Sequence, residues 1–220
     1  MGLHLNYELR LAGTTPAQDV TSTLLELRAF AVTLPFRSVS DLYDPELDTA
    51  GAPGDGLERL QFWASIIAQP YPDDVPPLIG DMMTARGFFI SPGERCETAR
   101  FGFMMRADEA GGNREWFWHC SCKTQYASIV SDRHLVSCHT GLVRLLDHAR
   151  MLGVDVVVRD ETHYWETRDE QRLITEAHAM NRIVARIAGN LDDAVGPGHA
   201  TWAPIFGHPR FERLEMGEEP

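Results

Sequence analysis

The chain opens on a strict alternation. Leu3, Leu5, Tyr7, Leu9 and Leu11 are apolar, and His4, Asn6, Glu8 and Arg10 between them are polar. A period of two belongs to a strand with one buried and one wetter face. From Pro16 the period lengthens, so that Val20, Leu24, Leu27 and Ala31 share one side of a helix. Thr15 is expected to cap it, with Pro16 at its first position and Gln18 completing a capping box. Pro35 ends this helix, because the residue before a proline is pushed out of helical geometry. "FRSVSDLY", residues 36–43, then reads as the second strand of a β-α-β unit.

Residues 44–56, "DPELDTAGAPGDG", have the composition of a mobile acidic loop. A short amphipathic helix over 57–68 and a proline-rich segment over 69–78 are expected next. The period then returns to two in "GFFIS", "ETARFGFMMRA" and "REWFWHCSCKTQY", a meander whose last two strands are joined by the turn-like "DEAGGN". Ser131 caps a helix carrying Leu135, Cys138, Leu142, Leu145, Leu146, Ala149 and Leu152 on one face and stopping at Gly153. After the strand "VDVVVR", Thr167 and Glu170 form a capping box that opens a helix to about Val195. Its buried face would hold Leu173, Ala177, Met180, Val184, Ile187 and Leu191. Beyond Gly196 the helical period is lost, and Trp202, Ile205, Phe206, Phe211 and Leu214 suggest an arm that docks on something. The expected organisation is one domain over 1–195 followed by an extended C-terminal arm over 196–220.

Strands that alternate, instead of running apolar throughout, favour an α+β fold with a mainly antiparallel or mixed sheet and helices packed on one face. If the hairpin before Arg114 is an insertion, the element order is similar to the ferredoxin-like β-α-β-β-α-β motif. That likeness is one of order and carries no function.

A formal charge of −12 argues against a nucleic-acid or anionic-membrane partner held by a broad basic surface. The N-terminal alternation is neither a signal peptide nor a spanning helix, so a cytoplasmic location is expected. The four cysteines, Cys96, Cys120, Cys122 and Cys138, are too few for a disulfide scaffold and would be thiols or ligands.

Candidate chemistry concentrates in "EWFWHCSCKTQYAS", residues 115–128. Nineteen of the 20 basic residues are arginine, and the single lysine is Lys123, inside this stretch. An ammonium can lose its proton or form an imine, and a guanidinium cannot. In an extended strand Trp116, Trp118, Cys120, Cys122, Thr124 and Tyr126 point one way, and Phe117, His119, Ser121, Lys123 and Gln125 the other. Cysteines two apart in a strand lie roughly 7 Å from each other, whereas two sulfurs on one zinc need to be within about 4 Å. Buried thiols are therefore the better account of Cys120 and Cys122. A zinc reading is kept alive by His134 and Cys138, one helical turn apart, with His139 alongside and Cys122 as a fourth ligand.

The polar side of the strand is expected to share a face with His4, Asn6, Glu8 and Arg10 of the first strand, and with Arg100 and Arg106 if the neighbouring strand aligns. A small anionic ligand would sit there on Lys123 and an arginine, with Ser121 and Gln125 as further contacts. In a catalytic version His119 is a general base and Lys123 an electrostatic stabiliser or nucleophile. Glu161, His163 and Glu166 sit in a short link where polar residues are expected anyway. Phosphate-loop, dinucleotide, zinc-protease and serine-hydrolase patterns do not occur. The leading expectation is a non-catalytic binding or assembly domain with a polar sheet face, possessing a small anionic ligand, a protein partner or a second copy of itself. An enzyme acting on a small anion and a metal-binding protein are the alternatives.

Overall fold

The computed structural model describes residues 3–44, 80–107 and 114–195. The proposed helix over 57–68, the proline-rich segment, the "DEAGGN" turn and the C-terminal arm lie outside them, as does the acidic loop after Asp44. The strands are β1 (Leu5–Ala12), β2 (Ser38–Val39), β3 (Gly80–Ser91), β4 (Ala99–Ala107), β5 (Arg114–Cys122) and β6 (Asp155–Asp160). The helices are α1 (Ala17–Thr33), α2 (Asp132–Met151), the single turn α3 (Tyr164–Thr167) and α4 (Glu170–Val195), with a 3-10 turn at Gln125–Ile129.

The strands form one six-stranded sheet in the order β2-β3-β4-β5-β1-β6, every neighbouring pair antiparallel. The fold is α+β. Its strand order departs from the ferredoxin-like arrangement. β5 pairs with β1 along the whole of β1, from Leu5↔Cys122 to Ala12↔Glu115. The meander β3-β4-β5 is thus the middle of the sheet, not an insertion, and β2 is displaced to the far edge.

Leu5, Tyr7 and Leu9 of β1 are buried, together with Trp116, Trp118, Cys120 and Cys122 of β5 and Val156 of β6. Their face of the sheet carries the core, closed by Leu24, Leu27 and Ala31 of α1, Leu135, Leu142 and Leu146 of α2, and Leu173 and Ala177 of α4. Tyr7 stacks on Phe101 at 4.9 Å and donates its hydroxyl to the Arg100 carbonyl at 2.7 Å. Burying each large apolar side chain here contributes roughly 1.5–3 kcal/mol.

Several local expectations are corrected. Pro16, not Thr15, occupies the N-cap of α1, and no side chain caps that helix. The expected strand over 36–43 shrinks to Ser38–Val39 with an isolated bridge from Tyr43 to Gly87. The Ser40 hydroxyl takes the Phe89 N–H at 2.9 Å, so a side chain replaces the backbone acceptor and the ladder breaks. Thr167 ends α3 instead of opening α4. Asp169 is the cap, its carboxylate accepting from Arg172 N at 3.1 Å. Ser131 does cap α2, accepting from His134 N, and Gly153 ends it with φ +84°.

Asp44, assigned to the acidic loop, is buried. It accepts from Thr21 Oγ1 and pairs with Arg86 Nη1 at 3.3 Å. Arg86 is 1% exposed, also donates to Thr21 Oγ1 at 2.8 Å and Ala17 O at 3.0 Å, and lies over the Trp116 ring. A guanidinium can be buried this deeply because its fixed fork of donors meets several acceptors at once.

Candidate functional site

The helices leave the second face of the sheet to Asn6, Glu8 and Arg10 of β1 and their neighbours in register. Across β5 the partners are Ser121, His119 and Phe117. Across β6 they are Arg159, Val157 and Asp155. Alternation put His119, Ser121, Glu8 and Arg10 on one surface, and the register brings them together there.

The face divides into two halves. At one end, Arg10 Nη2 is 2.7 Å from Glu8 Oε2, and Arg106 Nη2 is 2.8 Å from Glu115 Oε1. The Arg106 and Arg10 guanidiniums lie 3.1 and 5.4 Å from the Phe117 ring centroid. These charges are matched to one another over a buried aromatic ring. At the other end, the side chains of Asn6, His119, Ser121 and Arg159 have no hydrogen-bond or ion-pair partner among the described residues. Asn6 stands between Ser121 and Arg159 in register, so a cation, an amide and a hydroxyl form one row across three strands, with His119 in the next row. Burial lowers the His119 pKa below its ordinary value, and the charge of Glu8 opposes that. The neutral imidazole is a donor and acceptor in that setting.

The other expected site residues go elsewhere. Lys123 follows the end of β5. Its ammonium is 3.6 Å from Glu97 Oε1 and 5.7 Å from the Tyr126 ring centroid, while its N–H donates to Glu97 Oε2 at 3.0 Å. Gln125 is not on the polar face. The strand stops at Cys122 and turns into the 3-10 segment, which buries Gln125 against Asn181 at 2.8 Å and the Leu3 N–H. Arg100 is also displaced. β4 pairs with β5 only across Met104–Ala107, so the partner of Arg100 is Phe89 of β3. Its carbonyl accepts from Tyr7 and Trp118.

The four proposed zinc ligands do not converge. Cys122 donates to Glu97 O at 3.3 Å, and His139 is held by Thr124 and Asp160. His134 and Cys138 do meet, Nε2 to Sγ at 3.6 Å. Among the described residues no group of three or more His, Cys, Asp or Glu side chains is disposed to hold a metal ion. Cys120 and Cys122 are buried thiols as their parity implied, both raised above the ordinary value chiefly by burial.

One polar constellation was not anticipated. Thr124 Oγ1 lies 2.8 Å from His139 Nδ1, and His139 Nε2 lies 3.0 Å from Asp160 Oδ2. Asp160 further accepts from Thr162 N–H, Thr162 O–H and Trp165 N–H at 2.9, 2.7 and 2.8 Å. Burial alone would raise the Asp160 carboxyl. The hydrogen bond and charge of His139, with the bonds from Thr162, overcome that and hold it at about 2. A hydroxyl, imidazole and carboxylate in sequence have the composition of a nucleophilic relay, but Thr124, His139 and Asp160 are 2, 1 and 3% exposed. No substrate reaches them, and the chain ties β5, α2 and β6 together. Its one sequence signal is Asp160-x-Thr162 at a strand end, the pattern of a side chain closing a turn on its own backbone.

The chain matches no protein-family model, and comparison with curated proteins and with solved structures finds no match.

Proposed function

We propose that this chain is a non-catalytic binding or assembly domain that receives an anionic group, a carboxylate or phosphate of a small ligand or partner protein, on its polar sheet face. One observation carries this reading: Arg159, Asn6, Ser121 and His119 are adjacent in register and hold no partner among the described residues. A guanidinium flanked by an amide, a hydroxyl and a neutral imidazole supplies the donors an anionic oxygen needs. The catalytic version loses support, because Lys123 is committed to Glu97 and not to the surface of His119. Next to this row Val157 is 50% exposed on β6, the strand at the sheet edge. A partner strand laid along β6 would bring its own carboxylate to Arg159.

Four free thiols are in keeping with a reducing compartment, and we place the protein in the cytoplasm. Among the described residues no helix is long and apolar enough to cross a membrane. The net charge of −12 disfavours nucleic acid as the partner.

The test is an amide-shift titration of labelled protein with succinate, citrate and inorganic phosphate, alongside sedimentation at several protein concentrations. Expected are saturable shifts at residues 6, 119, 121 and 159 with Kd of about 1 mM, about 4 kcal/mol of binding, abolished by Arg159→Ala. Shifts that stay linear and scattered for every anion, with a monomer at all concentrations, sink the reading.

A further inference from the structure

β6 pairs with β1 on one side, and among the described residues no strand pairs with it on the other. The phase of its backbone is fixed by the bond from Glu161 N–H to His4 O at 3.1 Å. Alternate residues of an antiparallel strand turn their N–H and C=O the same way, so Val157 and Arg159 bond to β1 while Val156 and Val158 face the open edge. The Val156 carbonyl accepts from Arg150 Nη2 of α2 at 2.9 Å, which leaves its second lone pair for another donor. The edge holds an unbroken register with β1 and carries no glycine, proline or bulge to blunt it.

The side chains along this edge complement themselves. Asp155, Val157 and Arg159 are exposed on the polar face of the sheet, Val157 by 50%. Neither the Asp155 carboxylate nor the Arg159 guanidinium has a hydrogen-bond or ion-pair partner among the described residues. Reading outward from Val157, both neighbours are valine, and the next residues are Asp155 on one side and Arg159 on the other. A second copy laid antiparallel, with a twofold axis at Val157, therefore sets Asp155 against Arg159 at both ends and valine against valine between them. Val156 of each copy then stands opposite Val158 of the other, and their edge-facing N–H and C=O groups pair. Moving the axis to Val158 would oppose Asp155 with Glu161 instead, so charge selects the register.

We propose that two copies of this chain associate along β6 into one continuous sheet, each giving its Asp155 carboxylate to Arg159 of the other. This rests on the reading that Arg159 receives an anionic oxygen, and it names the source of that oxygen. The row of Arg159, Asn6 and Ser121 in each copy is completed at the shared edge by the carboxylate of the second. An edge that runs only from Asp155 to Arg159 is small beside the roughly 1,600 Å² of a standard interface, so the dimer is weak and forms with rising concentration.

The experiment is sedimentation of the full-length chain with charge-reversed variants. Between about 1 μM and 1 mM, monomer and dimer should exchange with a Kd on the order of 0.1 mM. Asp155→Arg and Arg159→Asp should each weaken self-association at least about tenfold, because like charges then meet at both ends. An equimolar mixture of the two variants should recover wild-type association, since every arginine again meets an aspartate of the other copy. A monomer throughout, a dimer indifferent to both reversals, or a mixture that fails to recover overturns the proposal. Phosphate-induced amide shifts at residues 6, 121 and 159 in a chain that stays monomeric would overturn the second copy and leave the anion reading standing. The absence of both would remove the two together. Wild-type protein decides the edge even if a variant does not fold: on dilution its amide shifts should centre on residues 155–159, and shifts centred elsewhere overturn it.

Discussion

His139 places Nε2 3.0 Å from Asp160 Oδ2, and both side chains are shut away from water. The pair is a structural clamp whose energy depends on the carboxylate staying ionised. The unfolded carboxyl titrates near 3.8 and the folded one at about 2, which corresponds to about 2–3 kcal/mol of stability at neutral pH. A depressed carboxyl stabilises the fold above its unfolded pKa. This contribution is complete above about pH 5 and is lost as pH falls from about 4 to about 2. Asp160→Asn should be less stable at neutral pH and should flatten that part of the stability profile, measured by urea unfolding followed by tryptophan fluorescence. An unaltered acid slope would assign the sensitivity to other carboxylates.

Gln125 and Asn181 form a second buried polar unit, joined at 2.8 Å and extended by Asn181 Nδ2 to Ser128 Oγ at 2.8 Å. Gln125→Leu strands the Leu3 N–H and the Asn181 carbonyl, at about 1–3 kcal/mol for each stranded group. A double-mutant cycle with Asn181→Leu should return a coupling of at least about 0.5 kcal/mol. Strict additivity would mean that the two amides do not act together.

Arg86 and Asp44 meet with almost no exposure, 2% and 0% at the side chains. Arg86→Met fills similar volume but leaves Asp44 buried without its main cation. Chemical denaturation should show a loss of about 3–5 kcal/mol with an unchanged denaturant slope. A loss under about 1 kcal/mol would show that the remaining partners of the carboxylate, Thr21 among them, satisfy it without the guanidinium.

Lys123→Arg tests the meaning of the single lysine. Its observed contacts are an ion pair with Glu97 and a position over Tyr126, and a guanidinium can make both. Stability should stay within about 0.5 kcal/mol of wild type, and anion shifts on the polar face should be unchanged. Loss of those shifts would return Lys123 to the site.

Gly153 closes α2 at φ +84° with open space where a Cβ would go. Gly153→Ala therefore meets no clash and suffers only the left-handed backbone, an expected loss of roughly 1 kcal/mol. A stabilised variant in thermal melts would show that the turn relaxes to an ordinary conformation.

Much of the fold is legible along the chain because periodicity and burial are local properties. The alternation over Leu3–Leu11 predicts which face of β1 is buried, and the capping serine and stop glycine of α2 mark that helix at both ends. Parity also put Cys120 and Cys122 inside and His119 and Ser121 on the opposite face. Spacing failed where the chain left its regular period. Lys123 and Gln125 continue the alternation, but β5 ends at Cys122, and beyond that point alternation says nothing about direction.

Contacts between distant segments had no signal in any local pattern. Arg159 reaches the polar row only because β6 pairs with β1, far away in sequence. His139 meets Asp160, and Cys138 meets the Pro92 carbonyl, only because α2 lies against the ends of β5 and β6 and beneath the β3-β4 loop. Hydrophobic spacing dictates which face of an element turns inward, since that is decided within a few residues. Which polar groups then face one another depends on strand order and register, and those are settled when the whole sheet closes on its helices.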